Sequence, residues 1–142
     1  MMIRGVPAPA GDYILLLARV LLATIFIVFG WNKLMDVAGT TGYMQSLGVP
    51  VPQLAAYVAV AVELGAGALV IAGFWTRPMA VLLAVYALAA GCIGHPFWLA
   101  DGEQRYSDTI NFYKNLCICG GFLLLYVTGP GHIAFDARRG KG

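Results

Sequence analysis

Residues 54–74 read LAAYVAVAVELGAGALVIAGF, and Glu63 is their only charge. A helix of this length, at about 1.5 Å rise per residue, matches the roughly 30 Å hydrocarbon core of a bilayer and carries too little polar surface for a soluble domain. Glu63 then sits near mid-membrane. A carboxylate at that depth costs several kcal/mol unless it is neutral or paired, so another segment must answer it.

The rest of the chain fits a membrane setting. Of 142 residues, 60% are hydrophobic and 11% charged, with a net charge of +2, against about 25% charged in an ordinary soluble domain. Mean hydropathy is +0.77. The few basic residues form no stripe, which excludes a nucleic-acid partner. The N-terminal MMIRGVPAPAGD leads into a full-length apolar run without a small-residue cleavage site, so the first span is expected to stay uncleaved.

Four spans are expected, at about 13–31, 54–74, 78–95 and 109–128, in a single transmembrane domain covering 1–142. The fold class is all-α, an integral membrane four-helix bundle. Asp12 is placed as N-cap of the first span, after the breaker-rich VPAPAG. The polar connection VAGTTGYMQSLGVPVPQ is read as ending any helix, apart from a short interfacial turn near 41–47. Pro78 suits the first turn of the third helix, His95-Pro96 stops it, and FWLADGEQRYSDTINFY is read as a loop reaching the fourth span. Small residues at four-residue spacing, such as Ala61 with Gly65, Ala80 with Ala84 and Ala87 with Gly91, would let backbones approach. Cys92, Cys117 and Cys119 are expected as filler in helix packing, since residues two apart on a helix point away from each other and there is no C-x-x-C pair.

Four spans place both termini on one side. That side holds Arg4, Arg77, Arg138, Arg139 and Lys141, and the other holds Lys33, Arg105 and Lys114. The positive-inside rule makes both ends cytoplasmic.

Depth counting selects Arg19, about 10 Å inside the first span, as the partner expected to approach Glu63. That pair either fixes helix register or leaves Glu63 as a proton-accepting, ligand-orienting carboxylate. A second group gathers at the opposite helix ends: Asn32 and Lys33, then His95 and Trp98, then Lys114 and Asn115. Singly these read as snorkelling anchors, belt aromatics and a helix stop. Together they combine cations, amides and an imidazole that could hold the head of an amphiphile whose tail lies between helices. No H-x-x-H, C-x-x-C or Glu-x-x-His spacing points to a metal or haem, so no metal is expected.

Read in order, RVLLA from Arg19, FGWNKL from Phe29, VELGAGAL from Val62, GFWTRP from Gly73, HPFW from His95 and KNL from Lys114 resemble the DoxX family of small bacterial four-span membrane proteins. The resemblance runs from about residue 13 to residue 136. It implies recurrent polar residues at Arg19, Lys33, Glu63, Arg77, His95, Lys114 and Asn115. The tail departs from the family pattern, with Ala134-Phe135-Asp136 where Ser-Leu-Asp is expected. The family's associations are with a terminal quinol oxidase, with electron transfer from thiosulfate to quinone and with thiol-stress complexes.

The expectation is therefore a subunit of a quinone-linked or thiol-redox system in the bacterial inner membrane. It would act as an oxidoreductase with a partner enzyme, bind a quinone without covalent attachment, and be open to homo-oligomerisation. Glu63 and His95 would handle the proton, with Arg19, Asn32, Lys33, Trp98, Lys114 and Asn115 around the ligand. Two alternatives from other classes are a non-catalytic assembly or scaffold factor and, third, a small proton-coupled exporter.

Overall fold

The computed structural model describes residues 7–139. Arg4 and Lys141, counted above, lie outside the described residues. The protein is an integral membrane four-helix bundle, with long apolar helices over Pro9–Met35, Pro52–Ala72, Thr76–Leu99 and Gly102–Thr128. Large apolar side chains such as Leu21, Val85, Leu124 and Val127 stand exposed around it, as a lipid solvent requires.

Helix α1 covers Ala8–Met35, with Pro7 as its N-cap and Pro9 in the first turn. Asp12 is therefore not the cap; it lies inside the second turn, because a proline at the helix start costs nothing and lets the helix begin earlier. Asp36 leaves α1 while its carboxylate accepts a hydrogen bond from the Gly39 amide at 2.8 Å, starting helix α2 over Val37–Ser46. The first ten residues of the expected connection, where only a short turn near 41–47 is expected, thus form a helix. An added Cβ at Gly39 would lie 2.1 Å from Asp36 Oδ2, so the glycine that looked like a breaker is what admits the cap.

The second span is built of α3 (Pro52–Val60), a π-helical turn (Ala61–Ala66) and α4 (Gly67–Ala72). It packs chiefly against α1. Helix α5 (Thr76–Gly94) and helix α6 (Gly102–Thr128) form the other tight pair. Ala80, Ala84, Ala87 and Gly91 of α5 are buried, and an added Cβ at Gly91 would touch Asn115 on α6 at 3.0 Å. Close approach through small residues therefore operates on α5. Ala61 and Gly65 do not share it; both are exposed.

Helix α6 begins two turns earlier than expected. Glu103, Gln104 and Arg105 are good helix formers, and low hydropathy in GEQRYSDT conceals helical propensity. Cys92 and Cys117 face outward, and only Cys119 packs against the core; the filler role fails for the first two. That core runs through Ala23 and Phe26 of α1, Ala66 and Val70 of the second span, Leu83 and Ala87 of α5, and Phe122 and Leu125 of α6. Short α7 (Phe135–Arg139) closes the described chain.

Candidate functional site

Glu63 is the twelfth residue of the 21-residue second span and is 4% exposed. It stands in the π-helical turn, a backbone form often found at functional positions because the extra residue re-aims side chains. Lys33, near the end of α1, places Nζ 2.9 Å from Glu63 Oε2. Tyr86 of α5 donates its hydroxyl to Oε1 at 2.5 Å. Two spans thus supply one charged and one neutral donor to a carboxylate on a third, the short distances expected of charge-assisted bonds.

The surroundings hold this arrangement. Phe26 meets the Tyr86 ring edge-on at 6.1 Å and Phe122 at 5.6 Å, while the Lys33 ammonium lies 5.7 Å from the centre of the Phe29 ring. A Cβ at Gly30 would lie 2.8 Å from that of Glu63. Gly30 therefore lets α1 approach the π turn closely enough for Lys33 to reach the carboxylate. Lys33 retains 26% exposure of its side chain against 6% for Glu63, so one partner of the buried acid still meets the outside.

The expected Arg19–Glu63 approach does not occur. Gly30 marks the level of Glu63 on α1, and Arg19 lies eleven residues, or about 16 Å, further down the helix. The Arg19 guanidinium reaches Gly73, ten residues beyond Glu63 on the antiparallel span, and donates through Nη2 to the Ile133 carbonyl. Counting from the assumed caps put the two side chains at similar depth; the longer α1 and the antiparallel pairing leave Glu63 at mid-span and Arg19 at the end beside Gly73.

At the Lys33 end, His95 is the C-cap of α5, and its Nδ1 lies 3.2 Å from Asp108 Oδ1. Gln104, one turn before Asp108, donates to the same oxygen at 3.0 Å. His95 is therefore brought to Asp108, and not into contact with Glu63. Tyr43 of α2 donates to the Gly94 carbonyl at 3.3 Å. Trp98 packs edge-on against Phe97 and Phe112 at 5.2 and 5.8 Å.

The remaining expected residues scatter. Asn115 donates to the Asn111 carbonyl at 3.0 Å and supports the α5–α6 contact. Lys114 is exposed beside an open, apolar groove of about 610 Å³ that includes Ile25, Ile110, Tyr113 and Cys117. Asn32 and Arg77 are exposed. Tyr86, Asp108 and Gln104 were missed. The phenol in an otherwise apolar third span was a usable signal for Tyr86, whereas reading 102–108 as loop hid the i, i+4 relation of Gln104 and Asp108.

At the other end, Asp136 receives the Trp75 and Thr76 amides at 2.9 and 2.8 Å, capping α5 from the tail. Burial pushes the Asp136 carboxyl up. The hydrogen bonds from Thr76 and Trp75, with the Arg139 charge, outweigh that and hold it below its ordinary value. Asp12 accepts from the His132 amide and lies 3.0 Å from its Nδ1.

The DoxX family profile matches residues 14–96. The chain belongs to the DoxX family. It is 49% identical over 129 residues to "Inner membrane protein YphA" of Escherichia coli, covering 91% of this chain and 92% of that protein. It is 38% identical over 130 residues to "Inner membrane protein YqjF" of the same organism, covering 92% and 95%. "Putative oxidoreductase CatD" of Bacillus subtilis is 40% identical over 75 residues, covering 53% of this chain and 54% of that protein. No solved structure matches.

Proposed function

We propose that this DoxX protein is an inner-membrane subunit of a quinone-linked redox system, with both termini cytoplasmic. In this reading it holds a quinone, or a similarly amphiphilic carbonyl compound, between its helices, and Glu63 carries the proton. The observation that supports it is the Glu63 carboxylate, buried in a π-helical turn and held by Tyr86 and Lys33. A self-neutralising pair needs only the two charges; the added phenol gives the carboxylate a neighbour through which a proton can pass.

A bound quinone would supply two-electron carbonyl chemistry, with electrons exchanged through a partner enzyme. The chain's own contribution is local. Glu63 takes or gives the proton, Tyr86 orients it through Oε1, and Lys33 compensates the negative charge while remaining partly exposed. His95 lies 3.2 Å from Asp108 nearer the end of the bundle. The name of the Bacillus relative leans toward redox chemistry.

Glu63→Gln keeps the size of the side chain and removes its charge. It should abolish quinone-dependent turnover in membranes while the protein accumulates normally. Wild-type turnover in this variant would overturn the proposal and leave the ion pair as a scaffold element of an assembly factor.

A further inference from the structure

The end of the bundle remote from Lys33 contains a cavity of about 240 Å³ whose wall includes Leu16, Arg19, Ile71, His132, Ile133 and Arg138. Arg19 is 0% exposed. Its Nη2 is engaged by the Ile133 carbonyl, but Nε and Nη1 have no hydrogen-bond partner among the described residues. Three of the five N–H groups of the guanidinium belong to those two atoms. An arginine buried with most of its donors idle is costly, because its hydration is lost and little replaces it.

The charge of Asp136 acts on Arg19 from a distance, but no carboxylate among the described residues pairs with it directly. Asp136 spends its two oxygens on the Trp75 and Thr76 amides, and Asp12 is engaged by His132. The cavity also includes a second guanidinium, Arg138, which is exposed. Two arginines around one cavity suit a multiply charged oxyanion, since each presents a planar fork of donors. Leu16, Ile71 and Ile133 add an apolar side to the same space. Basic pockets between spanning helices are a common way of holding lipid head groups.

We propose that this cavity is a binding site for a phosphate group, with Arg19 at its floor and Arg138 at its mouth. The phosphate is supplied either as the head group of an acidic phospholipid or as a free ion. Its position, at the helix end away from Glu63, makes it independent of the quinone reading. Its occupancy would add to the hold of the tail on the α4–α5 turn, where the Asp136 amide already donates to the Gly73 carbonyl at 2.9 Å.

The test uses the full chain in a neutral detergent, with melting temperature as the readout and ionic strength held constant with chloride. One arm adds inorganic phosphate, and the other adds phosphatidylglycerol against phosphatidylcholine. A saturable rise in melting temperature with phosphate assigns a free ion. A rise with phosphatidylglycerol alone assigns the lipid head group. In either case Arg138→Gln should weaken the apparent affinity at least tenfold. Arg139→Gln, which removes the same charge from a residue outside the cavity wall, should leave affinity within twofold. Arg19→Lys, if it folds, should also lose binding because it keeps the charge and loses the fork. No rise in either arm, or equal losses in Arg138→Gln and Arg139→Gln, would overturn the site.

Discussion

Glu63 and Arg19 are both charged and almost fully buried in the same bundle, 4% and 0% exposed, yet the fold treats them differently. Glu63 is met by side chains from α1 and α5. Arg19 is met by one backbone carbonyl from the tail. The acid lies where three helices converge, so partners from different spans can be brought to it. The base lies where the spans end, and the chain's own side chains there are already committed to capping α5 and holding His132. A buried charge with all its partners marks a working or register-setting centre. One without them among the described residues leaves donors that a bound anion would satisfy.

The largest effect is expected at Lys33. Lys33→Met would leave Glu63 with Tyr86 alone, and uncovering a buried ion costs about 3–5 kcal/mol when one partner is removed. The lower figure applies, since Lys33 keeps a quarter of its side chain exposed and polar groups in unfolded membrane segments find other partners. Thermal unfolding in detergent should show the loss. Adding Glu63→Gln to Lys33→Met should recover most of it, and a double variant as unstable as Lys33→Met would mean that the pair is not coupled.

How much of this was legible depends on what each residue signals. The four spans were, because an apolar run of about twenty residues has few other readings. Their ends were not: Pro9 tolerates an early helix start, Asp36 caps α2 through a glycine, and GEQRYSDT hides a helical start behind polar side chains. Glu63 announced itself as a lone charge, and Lys33 was selected with the residues around the ligand. Their pairing was not legible, since it depends on the register of two antiparallel helices, set by Gly30 against the π turn. Tyr86 hid because its ring counts as apolar while its hydroxyl does the bonding. Arg19 was identified as buried and given the wrong partner, because tail contacts made more than a hundred residues away leave no periodic trace.

The second largest effect is expected at Gly73, on which the Arg19 end depends. Its φ is +71°, and an added Cβ would lie 1.9 Å from Arg19 Nη1 and 2.5 Å from the Ala134 Cβ. Gly73→Ala therefore combines a left-handed backbone with two collisions, and the backbone alone costs about 1–2 kcal/mol in a residue that has a side chain. A loss of about 2 kcal/mol in thermal unfolding is expected. The same substitution at Gly65, where nothing lies within 4 Å of the added atom, should be neutral or slightly stabilising.

The smallest effect belongs to Asp136 and has a pH signature. Its carboxylate caps α5 through Trp75, itself held at a φ of +49°, and Thr76. Asp136→Asn should cost about 1 kcal/mol at neutral pH, as the loss of an N-cap does. The folded state holds this carboxyl below its ordinary value, so the unfolded chain binds the proton more readily. The stabilisation is then complete above the unfolded pKa, about 4, and disappears as pH falls through the folded value. Wild type and Asp136→Asn should differ by a constant amount between pH 5 and 8, roughly the range above that titration, and converge only in stronger acid. Convergence near neutral pH would mean that the carboxyl titrates far higher than its two amide bonds allow, and that the tail is held to α5 by other contacts.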